Sequence, residues 1–183
     1  LNIAYELSTL TDQVLYLTRV DLNSPAAQAN QIKSMARAFY RAFGSNFLLV
    51  CSGSVSSENR AFFRGLPLSR FPKFRYISAC CYAAACTLNK RYKVIYTRDI
   101  VVAAVIILLG GRTVYEAHKD PKGIIARCLL KGLTRQENFQ LIAISRALGD
   151  YYQTHYAIPC SRLLVAHSGV FPDDYKKLRE TSK

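Results

Sequence analysis

The feature that most constrains this chain is an alternation centred on residues 93–116. Lys93-Val-Ile-Tyr-Thr97 is followed by an apolar stretch from Ile100 to Leu109, then Gly110-Gly111, then Arg112-Thr-Val-Tyr-Glu116. The outer runs have the length and the β-branched and aromatic content of buried strands. The inner one is long enough for a helix, with Asp99 able to cap its start and the glycines to stop it. Strand, helix and strand in so short a span make a βαβ unit, whose strands are parallel and whose sheet is covered on both faces. The rhythm continues on either side, with strands expected at Val14–Thr18, Phe47–Cys51, Gln140–Ile144 and Arg162–Ala166. Helices are expected from Ser24-Pro25 to Gly44, over Ile77–Leu88, Lys122–Arg135 and Arg146–Tyr156. The fold class is therefore α/β, a doubly wound, mainly parallel sheet of five to seven strands flanked by helices. Ligands of such sheets bind at the carboxyl ends of the strands.

The first helix shows the expected two-faced pattern. Ser24 is the predicted cap and Pro25 the first helical residue. Ile32, Met35, Ala36, Phe39 and Phe43 form an apolar stripe, while Lys33, Arg37 and Arg41 fall four apart on the other side. Ala61 to Tyr76 resists assignment, because Phe62, Phe63, Leu66, Leu68, Phe71 and Phe74 are mixed with bases and two prolines. The helix over Ile77–Leu88 is expected to be largely buried.

Composition excludes several classes. Half of the residues are hydrophobic, which is incompatible with a disordered chain. The longest apolar run covers about half of the roughly 20 residues that a membrane span needs, so it reads as a core helix. Nothing at Leu1 reads as a secretion leader. The six cysteines show no Cys-x-x-Cys pair and no zinc spacing, so they are expected to be buried, reduced thiols of a cytosolic protein, and no metal is expected.

Charge adds a second constraint. The net charge is +13, and between Leu22 and Arg98 twelve bases face a single acid, Glu58. Such asymmetry points to an anionic partner: nucleic acid, acidic lipid or a phosphorylated substrate.

No Gly-x-Gly-x-x-Gly, P-loop or Gly-x-Ser-x-Gly motif occurs. Candidate functional residues are instead those at strand ends: Arg19 to Ser24, Arg98-Asp99, Glu116-Ala-His118, Ser145, and the turn His167-Ser168-Gly169-Val170. Taken singly, each has an ordinary structural explanation; Asp99 and Ser145 in particular suit helix caps.

Their order resembles the N-terminal domain of GT-B glycosyltransferases of the retaining glycosyltransferase family 4 (group 1) type, each domain of which is Rossmann-like. The matching stretches are the Val14–Thr18 strand leading through Asn23-Ser-Pro-Ala-Ala to a long helix and Val94-Ile-Tyr-Thr-Arg-Asp99. They continue with Thr113-Val-Tyr-Glu-Ala-His118, Ala143-Ile-Ser145-Arg-Ala-Leu148, and Ser168-Gly169-Val170 with Tyr175. Two departures stand out: Ser24-Pro25-Ala26-Ala27 replaces the family's glycine-rich first loop, and Ser168 replaces its asparagine.

The resemblance implies the following. Residues 14–175 form the acceptor-side domain, after a leading segment 1–13 and before the start of an interdomain linker at 176–183. His118 is the catalytic candidate, lying beside the reacting sugar carbon. Asn23, Ser24, Asp99, Glu116, Ser145 and Gly169 are candidates for substrate or acceptor binding, and Glu116 is also a candidate for orienting His118. This domain binds no cofactor itself. A UDP- or GDP-sugar donor is held mainly by a C-terminal domain, in the same chain or a partner subunit, and without it the 183 residues are expected to be inactive. The acceptor is a polysaccharide or a lipid-linked glycan. Lys33, Arg37, Arg41, Arg64, Arg70, Lys73 and Arg75, with their neighbouring phenylalanines, are candidates for an anionic membrane surface at the inner face of the cytoplasmic membrane. Filling of the core by those phenylalanines, with the bases an ordinary solvated face, explains them equally well. The competing classes are a non-catalytic, basic nucleic-acid-binding α/β module, which lacks a known reader motif, and a small α/β hydrolase, which lacks a nucleophile elbow.

Overall fold

A computed structural model describes residues 13–52, 62–66, 71 and 74–166. Seven strands form one parallel sheet in the order β3-β2-β1-β4-β5-β6-β7. They are β1 (Val14–Asp21), β2 (Phe47–Ser52), β3 (Phe63–Gly65), β4 (Val94–Thr97), β5 (Thr113–Ala117), β6 (Phe139–Ala143) and β7 (Leu163–Val165). Among the described residues five α-helices flank them: α1 (Ala27–Phe43), α2 (Arg75–Leu88), α3 (Ile100–Leu108), α4 (Ile124–Leu133) and α5 (Arg146–Tyr156).

The strands at the centre of the sheet are apolar on both faces, as a doubly covered sheet requires. Val14 to Thr18 of β1 and all four residues of β4 are buried. The two strands run in register from Val14 opposite Val94 to Leu17 opposite Thr97. Alternate side chains then serve two layers. Val14, Tyr16, Leu49, Tyr96 and Val114 pack with Ile32, Ala36 and Phe39 of α1. Leu15, Leu17, Val50 and Ile95 point the other way, toward Ala79 and Ala83 of α2 and Val102 and Ile106 of α3. On that same side Tyr115, Phe139 and Leu141 meet Ala103 of α3, Leu130 and Leu133 of α4 and Tyr152 of α5. Among the described residues one face therefore carries α1 alone and the other carries four helices.

The chain leaves β1 toward β2 and leaves β4 toward β5, so the sheet order reverses between β1 and β4. In an open parallel sheet this is where a crevice opens at the carboxyl ends of the strands. An irregularity marks its edge. Leu17 pairs with Val50, but the next β1–β2 pair is Asp21 with Ser52, so β1 has two extra residues there. Bulged strands re-aim side chains, here Arg19, next to such sites.

Several expectations change. The first strand runs on to Asp21 instead of ending at Thr18. The cap of α1 is Ala26, and α1 begins at Ala27, so neither Ser24 nor Pro25 has the expected place. Ser24 instead accepts a bond from the Ala26 amide at 3.3 Å, closing a turn ahead of the helix. Within the unassigned segment, Phe63–Gly65 pairs with Leu49–Cys51 as a short edge strand. Its phenylalanines divide: Phe62 and Phe63 are in the core, whereas Phe71 and Phe74 are 58% and 50% exposed. Helix α2 is buried along one stripe only, with Ile77 and Leu88 exposed. The apolar helix α3 is in the core through Val102, Ala103 and Ile106, yet Leu108 is exposed, as are Ile124 and Ile125 on α4. The expectation of buried cysteines holds only in part, because Cys81, Cys128 and Cys160 are exposed and only Cys51 and Cys86 are fully buried. No helix among the described residues is long and apolar enough to cross a membrane.

Candidate functional site

The site is built on strands β4 and β5. Residues two apart on a strand share a face, so Glu116 and His118, at the end of β5, project on the α1 side. Tyr96, beside them on β4, donates its hydroxyl to Glu116 Oε2 at 2.6 Å. Arg98, just past β4, grips the same carboxylate with both prongs, Nε to Oε2 and Nη2 to Oε1, each at 2.8 Å. His118 Nε2 lies 2.7 Å from Oε1. Arg98 also donates from Nη1 to Gln31 on α1 at 3.2 Å, and its Nη2 lies 3.0 Å from the Met35 sulfur.

Four donors fill the four acceptor sites of one carboxylate. Burial by itself would push the Glu116 carboxyl up, but the hydrogen bonds from His118, Arg98 and Tyr96 and the Arg98 charge outweigh it and hold the group below its ordinary value. Glu116 is thus an acceptor-only anion, and His118 Nε2 must carry the proton between them. The tautomer follows from this network. In the neutral ring Nδ1 then bears the lone pair, and in the charged ring it is a second donor. The His118 side chain is 26% exposed, against 4% for Glu116, so it is the member of the network that meets solvent.

On the other side of the crevice Arg19 pairs with Asp99 and stacks over the Tyr76 ring at 4.4 Å. Asp99 also accepts from the amides of Val101 and Val102 at 3.0 and 3.4 Å, which caps α3. Arg75 reaches Asp21 at 3.2 Å. The N-terminus of α1 opens nearby with no side-chain cap and no acid in its first turn, a polarity suited to an anion.

The residues singled out from sequence therefore separate. His118 and Glu116 are brought together, and of the two roles considered for Glu116 the geometry serves orientation, because its lone pairs are taken. Asp99 and Ser145 are both helix caps, Ser145 accepting from the Leu148 amide at 3.3 Å. Asn23 is exposed and Ser24 half-buried in the loop between β1 and α1. Gly169, Arg70 and Lys73 lie outside the described residues. Lys33 is half-buried and Arg37 and Arg41 exposed along α1, Arg64 sits on the edge strand β3, and Arg75 borders the crevice. The bases thus occupy several surfaces.

Arg98 was noted in sequence only as part of a strand-end pair, yet it organises the site, and Tyr96 and Gln31 were not singled out at all. The available signal was a charge on each of two buried strand ends, Arg98 and Glu116, which must be paired when desolvated. Among the described residues no group of three or more His, Cys, Asp or Glu is placed to hold a metal ion.

No known sequence family and no curated protein matches the chain. A solved structure does: Anabaena Alr3699/HepE, in complex with UDP and glucose, superposes with a TM-score of 0.54 at 16% identity. The alignment covers 93% of this chain and 50% of that one, so the chain spans about half the length of its structural neighbour. The likeness is one of fold: a Rossmann-like α/β sheet.

Proposed function

We propose that this chain is the acceptor-side half of a glycosyltransferase that moves a sugar from a UDP- or GDP-sugar to a glycan or lipid-linked acceptor. The observation that carries the reading is His118, held at the sheet's switch-point crevice by a buried carboxylate that Arg98 and Tyr96 fix in place. The neighbour solved with UDP and glucose supports it, since the similar fold there belongs to a chain about half of which lies beyond the match.

Transfer from a sugar nucleotide needs a stabilised diphosphate leaving group and a site closed to water more than it needs a strong base. In this reading the donor nucleotide is held mainly by a second domain, and this half supplies the wall facing the sugar. His118 Nδ1 binds a donor hydroxyl beside the reacting carbon and steers a retaining, front-face displacement. Glu116 fixes the ring and keeps the Nε2 proton where it is. The uncapped start of α1 and the Asn23 loop favour the negative charge that develops on the leaving diphosphate. Acceptor entry is from the side of Phe71 and Phe74, two exposed rings in edge contact at 6.2 Å next to Arg75. Such a surface suits a lipid-linked acceptor at an anionic membrane face.

A transfer assay on the full product of the gene, with a panel of UDP- and GDP-sugars, tests this. His118→Ala is expected to reduce transfer by at least about 100-fold, the scale of losing one positioned group at a reacting centre, with the fold retained by circular dichroism. An unaffected rate would remove His118 from the chemistry. The 183 residues alone are expected to show no transfer, and turnover by them would overturn the division between two halves. Pelleting with anionic vesicles tests the membrane face: salt-sensitive binding that Phe71→Ser with Phe74→Ser weakens is expected, and no binding would exclude it.

A further inference from the structure

At the opposite end of the sheet lies a second, unrelated concavity. It sits beneath the amino ends of β1, β2 and β4, with a volume of about 190 Å³, and is lined mainly by Gln13, Ser45, Asn46, Arg64, Arg91 and Tyr92. Two of these are arginines from distant parts of the chain. Arg64 comes from β3, where it is registered opposite Val50, and Arg91 from the turn after α2. The Arg91 guanidinium lies over the Tyr92 ring, 5.7 Å from its centre, and Tyr92 is buried. The turn is tied down by the Arg91 amide on the Cys86 carbonyl and the Lys93 amide on the Gln13 carbonyl, at 3.2 and 3.1 Å.

Neither Arg64 nor Arg91 is paired with a carboxylate among the described residues. This contrasts with the crevice, where Arg19, Arg75 and Arg98 are each ion-paired. Both guanidinium groups act on the Tyr92 phenol, which burial pushes up and their charges pull down, so both fields converge on the cavity wall. A serine hydroxyl and two carboxamides supply neutral donors around them.

We propose that this cavity binds a phosphate-type oxyanion, as a free phosphate compound or as a phospholipid headgroup. Two planar forks and several neutral donors match an anion with three or more acceptor oxygens. A volume near 190 Å³ admits a phosphate and the first atoms of whatever bears it. The cavity is remote from the crevice at the carboxyl ends, where sheets of this kind bind their ligands. It therefore does not rest on the function proposed above and stands or falls without it.

The test uses the full chain and three probes followed by backbone NMR: inorganic phosphate, pyrophosphate, and phosphatidylcholine vesicles with and without phosphatidic acid. Saturable shifts confined to Ser45, Asn46, Arg64, Arg91 and Tyr92 are expected with at least one phosphate-bearing probe. Response to the soluble anions identifies a free phosphate compound, and response to phosphatidic acid vesicles alone identifies a headgroup. The double variant Arg64→Gln, Arg91→Gln should weaken binding by at least about tenfold, the effect of removing charge-assisted bonds. A control that removes the same charge from the carboxyl side of the sheet, Lys122→Gln with Arg146→Gln, both exposed, should leave it within about twofold, because exposed charges at a distance are screened. Equal loss in both variants, shifts spread over the basic surface, or no response to any probe would overturn the proposal. Circular dichroism of each variant separates loss of the site from loss of the fold.

Discussion

Arg98 and Glu116 form a two-pronged ion pair with both contacts at 2.8 Å and side chains 5% and 4% exposed. Arg98 follows β4 and Glu116 lies in β5, and the pair closes over the junction of β4, β5 and α1. A buried pair of this kind contributes little relative to apolar residues of the same shape, but removal of one partner strands the other charge.

Arg98→Ala is accordingly expected to destabilise the fold by about 3–5 kcal/mol, the usual cost of an uncompensated buried charge. Arg98→Lys should recover only part of this, because an ammonium cannot reproduce the bidentate fork. Urea unfolding of the three proteins checks the order. A lysine variant as stable as the parent would mean that charge alone matters.

The acid limb of the stability curve should report on Glu116. Its carboxyl is held below the ordinary glutamate value, so the unfolded chain takes up the proton first as pH falls. The group's contribution is fully present above the unfolded value of about 4.3 and is lost as pH drops through the lower folded value. Thermal melts between neutral and strongly acidic pH should therefore show a stability loss in that window for the parent. Glu116→Gln should start less stable and show a shallower loss. Parallel curves would mean that the depressed carboxyl is not what the acid limb reads.

Tyr16→Phe is expected to be neutral or stabilising by up to about 1 kcal/mol, opposite to the common result for a buried tyrosine. The Tyr16 hydroxyl is fully buried with no hydrogen-bond partner among the described residues, and burial pushes it far above its usual pKa. A desolvated, unpaired hydroxyl costs about 1–3 kcal/mol. The ring itself must stay, because it packs edge-on against Tyr96 and Phe39 at 4.9 and 6.2 Å. Denaturant midpoints decide, and a loss above about 1 kcal/mol would reveal a partner for the hydroxyl.

Gly111→Ala should destabilise by about 1–3 kcal/mol through overpacking. A methyl there would stand 2.7 Å from Thr87 Cγ2, 2.8 Å from Ile106 Cγ2 and 3.1 Å from the Ile106 carbonyl oxygen. Two of those atoms belong to β-branched side chains and the third is backbone, so relief requires α2 and α3 to move from β5. An unchanged melting temperature would mean that this junction is loosely packed.

The alternation in residues 93–116 was enough to predict a parallel α/β sheet, because two short β-branched apolar runs and a longer one between them, stopped by glycines, are local properties. Asp99 as a cap was legible for the same reason. The start of α1 was not: Ser24-Pro25 has the residue types of a cap, but the turn that Ser24 makes with Ala26 moves the helix on to Ala27. Strand β3 was also hidden, since three residues among prolines and bases carry no period, and only the edge of β2 makes them a strand.

The candidate site divides in the same way. By itself the sequence determined the class of fold, the end of the sheet that would hold a crevice, and the strand positions of Glu116 and His118 two residues apart. Tertiary structure alone decided that Arg98, 18 residues before Glu116, would turn back onto it. It likewise decided that Arg64 and Arg91 would share one cavity. The physical reason is that periodicity records which face a side chain leaves from, whereas the pairing of charges depends on which strands become neighbours. That order, β3-β2-β1-β4-β5-β6-β7, is a property of the packed sheet and is written in no single stretch of the chain.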